Sequence, residues 1–207
     1  MSFFKIFNKT RKANEAKIFE TDSLRKWEAD GKPVPPPHFV KQSVITELKN
    51  KFKHELFIET GTYLGDMVEA QKANFNAIYS IELGAELYKA ALERFKNDKN
   101  ITILNGDSGD VLKELMPQIN EPAIFWLDGH YSEGVTAKGK KDCPIFEELT
   151  AILNAAPYEH ILLIDDARLF VGKDDYPKTS ELITFVKSLR PLIETYIKND
   201  IIYIFIK

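Results

Sequence analysis

From residue 55 onward the chain alternates between short continuous apolar runs and segments with helical spacing. The runs are Leu56 to Glu59, Ala77 to Glu82, Ile101 to Asn105, Pro122 to Asp128 and His160 to Asp165. They are short and lack helical spacing, so they read as strands covered on both faces. Between and after them, Met67, Val68, Ala70 and Gln71, then Leu87, Ala91 and Phe95, then Val111, Leu112, Leu115 and Met116 predict helices. Phe146, Leu149, Ile152 and Leu153 predict a fourth, with Pro144 in its first turn, and Leu182, Phe185, Val186 and Leu189 a fifth. Strand and helix in regular alternation predict a parallel sheet with helices on both faces. Ser108 is placed to cap the third of these helices.

The two ends of the chain depart from this rhythm. Leu192 to Lys198, the polar pair Asn199-Asp200, and Ile201 to Ile206 read as a hairpin that ends the sheet with an antiparallel strand. At the other end, Val40, Val44, Leu48 and Phe52 are spaced by four and predict a helix ahead of the first strand. Before it, Gly31-Lys32-Pro33-Val34-Pro35-Pro36-Pro37 is a stiff lead-in. Residues 1 to 17 hold Lys5, Lys9, Arg11, Lys12 and Lys17 among Phe3, Phe4, Ile6 and Phe7, an arm that either docks on its own domain or touches a membrane surface. The expected division is residues 1–37 as extension and lead-in, and 38–207 as one α/β domain. Two connections exceed the usual length: residues 129–141, with Gly129, Gly134 and Gly139, and residues 167–179. Both follow carboxyl ends of strands, where open α/β sheets bind ligands, and the first suits a moving lid.

Chemistry concentrates at the same strand ends. Glu59-Thr60-Gly61-Thr62-Tyr63-Leu64-Gly65 joins the first strand to a helix through two glycines. Such a turn lets backbone N–H groups approach a ligand. The spacing is neither that of dinucleotide sites nor that of a phosphate-cradling loop, because no Gly-Lys-Ser/Thr follows. An acid there disfavours a pyrophosphate and suits a ligand carrying an ammonium and a sulfonium. Glu82 ends the second strand, where a carboxylate can accept both hydroxyls of a ribose. Gly106-Asp107-Ser108 after the third strand forms a polar corner sized for an adenine edge. Together these residues resemble the first three motifs of class I S-adenosylmethionine (SAM)-dependent methyltransferases, a resemblance covering roughly residues 55 to 207.

That resemblance implies a Rossmann-like, doubly wound, seven-stranded sheet, mostly parallel with a C-terminal antiparallel hairpin strand. It implies that Glu59, Thr60, Gly61, Thr62, Gly65, Glu82, Asp107, Ser108 and Asp128 bind SAM. Asp128 closes the fourth strand and Asp165 with Asp166 the fifth, a set of hard oxygen donors suited to magnesium, manganese or calcium. These three acids also resemble the metal ligands of magnesium-dependent O-methyltransferases of the catechol and macrocin types. His130, two residues after Asp128, is the expected proton acceptor, with Asp128 beside it as a catalytic carboxylate; His38 is a further candidate. His54 and His160 precede strands and are expected to be structural, and Trp126 to be core. Tyr63 and Tyr131 stand where they could flank a ligand. Arg168, Lys138, Lys140 and Lys141 either form a solvated face or bind an anionic acceptor.

Composition narrows the remaining choices. The net charge of −3 gives no general attraction to nucleic acid or anionic membrane, and no apolar run approaches a membrane span. The single cysteine, Cys143, excludes an internal disulfide and a thiolate metal cluster. The N-terminus lacks the apolar core of a secretory signal, so the cytoplasm is the expected compartment. The fourth strand ends Asp128-Gly129-His130-Tyr131, without the Asn/Asp-Pro-Pro-Tyr/Phe pattern of base amino-methylation. The expected activity is SAM- and metal-dependent O-methylation, with magnesium the expected ion, of a small hydroxylated acceptor such as a sugar, sugar nucleotide or natural product, with homo-oligomerisation open. Two rivals stand beside it. Leu163-Ile164-Asp165-Asp166 also suits the metal site of a glycosyltransferase using a nucleotide sugar, and a methyltransferase-like fold can bind without catalysis.

Overall fold

The computed structural model describes residues 21–129 and 143–207. The basic arm over 1–17 and the expected lid, beyond Gly129, lie outside the described residues. A helical stretch over residues 21–29 buries Trp27, whose indole donates to the Pro33 carbonyl at 2.8 Å and ties the proline-rich lead-in down. The domain then runs α1 (His38–Phe52), β1 (Leu56–Thr60), α2 (Asp66–Gln71), β2 (Ala77–Glu82), α3 (Ala85–Phe95), β3 (Ile101–Asn105) and α4 (Ser108–Leu115). It continues β4 (Ala123–Leu127), α5 (Ile145–Leu153), β5 (Ile161–Ile164), β6 (Val171–Lys173), β7 (Tyr176–Lys178), α6 (Thr179–Leu189), β8 (Ile193–Lys198) and β9 (Ile201–Ile206).

Seven strands form one sheet in the order β3-β2-β1-β4-β5-β9-β8. Strands β1 to β5 are parallel, and β9 enters antiparallel to β5 with Ile164 opposite Ile202. The hairpin turn Asn199-Asp200 has positive φ at both residues, 52° and 60°, the two-residue geometry that matches strand twist. Chain order reverses between β1 and β4, so a crevice opens at their carboxyl ends.

The apolar runs are continuous because each strand is covered twice. Leu56, Ile58, Phe125, Leu127, Leu162 and Ile164 face the layer holding α4, α5 and α6. Phe57, Ile124, Trp126, Ile161 and Leu163 face the layer of α1, α2 and α3. Burying each such side chain contributes roughly 1.5–3 kcal/mol. Trp126 is core, as expected. His160 accepts from the Ala123 N–H at 3.1 Å, and His54 pairs with the Glu159 carbonyl at 2.9 Å, so both are structural. Burial lowers His160 to about 4 and raises the Cys143 thiol to about 12, leaving an uncharged imidazole and an unreactive thiol.

Three local expectations are corrected. Helix α4 is capped by Asp107, whose Oδ1 accepts from Gly109 N at 3.1 Å, and Ser108 is already its first helical residue. In α1, Ile45 is fully buried, whereas Phe52 is 38% exposed at the C-terminal end, where it meets the Phe205 ring at 5.5 Å. The stretch 167–179 is a single turn at Ala167–Leu169 followed by the hairpin β6–β7. Phe170 and Tyr176 pin it to the core, edge to face at 5.4 Å.

Candidate active site

The carboxyl ends of β1 and β2 form one half of the crevice. Gly61 turns the chain with φ +83°, and a Cβ there would stand 2.4 Å from the Asp128 carbonyl oxygen. Only glycine permits this approach, which brings the turn after β1 onto the end of β4. The Asp128 N–H completes the junction by reaching both the Thr60 carbonyl at 3.2 Å and the Thr60 hydroxyl at 3.3 Å. Gly65, also at φ +83°, precedes α2 and lies against the Phe95 ring.

Glu82 is buried with its carboxylate aimed back at this turn. One oxygen accepts from Tyr63 N at 2.8 Å and the other from Gly84 N at 2.7 Å. Each oxygen retains a further lone pair in a fixed direction, the requirement for receiving two vicinal hydroxyls. Asn105, not singled out in the sequence, steadies this strand end by donating to the Glu82 carbonyl at 2.7 Å. Tyr63 itself is 47% exposed at the rim, with φ 49°.

Glu59 lies deeper, 2% exposed, and accepts from the Ser80 hydroxyl at 2.5 Å; Ser80 in turn meets the Thr62 hydroxyl at 2.6 Å. Burial holds its carboxyl well above the usual range, Ser80 pulls the other way, and the charges of Asp128 and Glu82 add to the rise. A cation brought to this end of the crevice would favour its ionised form.

The other half, at β4 and β5, is built differently. Asp165 is almost wholly buried, and its Oδ2 is bonded by the Lys41 ammonium, while its Oδ1 accepts from Asp166 N at 2.8 Å. Lys41 also stands 3.5 Å from Asp166 Oδ1, and Arg168 donates to that same oxygen at 2.7 Å. Arg168 continues to Asp200 in the β8–β9 turn, and Asp200 Oδ1 accepts from Arg168 N at 2.8 Å. The Arg168 guanidinium is thus engaged by two carboxylates, an arrangement the sequence did not suggest. Asp166 adopts φ 55°, a left-handed conformation that Asp tolerates better than most residues.

Asp165 is pushed up to about 7 by burial and then by the Asp128 charge, with Lys41 pulling against both. Burial alone would lower Lys41, but Asp165, Asp166 and Asp128 outweigh it and hold the ammonium above its usual value. At neutral pH the ion pair is the state the geometry supports, because both hydrogen bonds to Asp165 serve an ionised carboxylate. His38, at the start of α1, belongs to the same field. Its Nδ1 lies 3.0 Å from Gln42 Nε2, and its pKa is lowered first by burial and then by Lys41, with Asp66 and Asp165 opposing.

The expected metal set does not fit this arrangement. Among the described residues no three His, Cys, Asp or Glu side chains converge as metal ligands. Asp165 and Asp166 instead share a lysine, which sequence reasoning missed. A divalent ion about 4 Å from that ammonium would be repelled by roughly 8 kcal/mol at an effective dielectric of about 20. His130, Tyr131, Lys138, Lys140 and Lys141 lie outside the described residues.

The sheet order, the crevice and the terminal hairpin are those of the methyltransferase Rossmann-like fold. No protein-family model and no curated protein matches the sequence. Solved structures do. The O-methyltransferase from Bacillus cereus in complex with SAH has a TM-score of 0.59 at 12% identity, covering 90% of each chain. TomG from Streptomyces achromogenes, an O-methyltransferase involved in tomaymycin synthesis and solved with SAM, has a TM-score of 0.56 at 13% identity, covering 90% of this chain and 87% of its own. SAH-bound PaMTH1 from Podospora anserina has a TM-score of 0.58 at 15% identity, covering 95% and 96%. All three of these structural neighbours are methyltransferases, two of them O-methyltransferases, and at these identities they establish the fold.

Proposed function

We propose that this chain is a SAM-dependent O-methyltransferase acting on a small hydroxylated acceptor, a sugar or natural product. The observation that carries the reading is the cradle made by Gly61, Tyr63 and Glu82 at the point where chain order reverses. Glu82 would receive the ribose hydroxyls, and the Asp107 corner would lie against the adenine. Glu59 and Asp128 would face the cationic end of SAM, with Thr60, Thr62 and Gly65 holding the turn in shape.

Methyl transfer is an in-line displacement, in which the acceptor oxygen forms a bond to the methyl carbon as the carbon–sulfur bond breaks. The electron pair stays on sulfur, the sulfonium becomes a neutral thioether, and the acceptor proton leaves to a base. Positioning the two reactants in line is most of what the protein must supply. Asp128 stands between the two halves of the crevice, since its charge is felt by Glu59 on one side and by Asp165 and Lys41 on the other. It is the carboxylate best placed to orient an acceptor, and His130, two residues further along the chain, is the proton acceptor of this reading.

Calorimetry tests the cofactor assignment directly. SAM and its demethylated product SAH should each bind once per chain, and a nucleotide sugar should give no heat. Binding of the nucleotide sugar alone would replace this reading with a glycosyltransferase.

A further inference from the structure

We infer that the Lys41 ammonium takes the place of a divalent ion between Asp165 and Asp166, and that its remaining N–H docks the acceptor oxygen. The docking half rests on the methyltransferase reading, whereas the cation half stands on the structure alone.

Lys41 is presented from a rigid support. It stands on α1 with Val40, Val44, Ile45 and Leu48 buried beneath the helix. Gln71 Nε2 donates to the Gln42 carbonyl at 2.9 Å and Gln42 Nε2 to the Asp66 carbonyl at 3.2 Å, locking α1 against α2. The lysine side chain is 11% exposed and reaches a carboxylate that is 2% exposed. An ammonium has three N–H donors. One bonds Asp165 and a second lies toward Asp166, which by count leaves one donor over.

The three carboxylates alternate with two fixed cations in a chain: Lys41, Asp165 and Asp166, Arg168, Asp200. A magnesium or manganese ion needs about six oxygen ligands in near-octahedral array. It would have to expel Lys41 and compete with Arg168 for Asp166. The lysine already supplies what such an ion would give the acceptor, a localised positive charge that fixes one lone pair toward the incoming methyl. Lys41 keeps its proton through the reaction; the acceptor proton leaves to the base, so no co-reactant is required.

The test is Mn²⁺ binding to the full chain, followed by the loss of the free-ion paramagnetic resonance signal, with SAH calorimetry on the same samples. The wild-type chain should leave the Mn²⁺ signal undiminished. Lys41→Met, checked for folding by circular dichroism, should bind Mn²⁺ at least tenfold more tightly than wild type. The added Asp165→Asn change should abolish that gain. Lys41→Gln serves the same purpose if the methionine variant does not fold. Wild-type Mn²⁺ binding that Asp165→Asn removes would overturn the inference, and so would a folded Lys41 variant that gains no Mn²⁺ affinity. A wild-type chain that binds neither SAH nor SAM would refute the methyltransferase reading, while the Mn²⁺ results would still decide the cation.

Discussion

The two halves of the crevice use the same residue type and neutralise it by opposite means. At β1 and β2, the carboxylates of Glu59 and Glu82 are held by a hydroxyl and by backbone N–H groups. Such donors fix the oxygens in space without supplying a full charge, so the half remains receptive to a cationic, hydroxyl-bearing ligand. At β4 and β5, Asp165, Asp166 and Asp200 are held by Lys41 and Arg168. There two fixed cations already offset most of the charge of three carboxylates, and what remains is a row of directed donors and acceptors. Acids at strand ends therefore do not by themselves announce a metal, because the partner decides.

The sharpest way to break this comparison is to remove the cation. Lys41→Met leaves Asp165 buried without its counter-charge, which should cost about 3 kcal/mol or more in urea unfolding at pH 8. The loss should shrink at pH 5, because Asp165 can then take up a proton. A loss under about 0.5 kcal/mol at pH 8 would show that the ion pair does not carry this half.

Next in size is the junction between the halves. Gly61→Ala forces a Cβ to within 2.4 Å of the Asp128 carbonyl at φ +83°. Strain and displacement together should cost about 2–3 kcal/mol of stability and most of the SAH affinity. Unchanged values for both, from urea unfolding and calorimetry, would mean the turn is not held as described.

A smaller effect follows from pH in the wild-type chain. Glu59 is raised above 4.5, and Asp165 is raised from 3.8 to about 7. Between those values the folded chain holds protons that the unfolded chain has released. Its stability should therefore fall as pH rises from about 4 through about 7. Glu59→Gln should flatten part of that slope, and a slope of opposite sign in urea titrations would contradict the assignment. The same proton on Glu59 should make SAM, which carries the sulfonium, gain affinity over neutral-sulfur SAH as pH increases.

The half at β1 and β2 was legible because its pieces are contiguous: each apolar run ends in its own acid or glycine turn, as at Glu59-Thr60-Gly61 and Glu82. The other half depends on Lys41, 124 residues before Asp165, and no local pattern joins them. A signal was nevertheless present, since Lys41, Ile45 and Leu48 fall on one helical stripe and place a charge among buried positions. The β6–β7 hairpin escaped notice because its strands are three residues each and every residue of β6 lies on the surface. Asp107 and Ser108 are both good capping residues, and only the backbone shows which one stands outside the helix.

The most direct measurement sets the halves against each other in excess chelator. SAH should bind the wild-type chain at one per chain. Glu82→Ala should weaken it about 10- to 100-fold, matching the loss of about 1–3 kcal/mol from hydrogen bonds to a buried carboxylate. Asp165→Asn, in the other half, should leave the affinity unchanged. Loss of SAH binding in chelator, or equal weakening by both substitutions, would contradict the division of the crevice into a cofactor half and a lysine-balanced acceptor half.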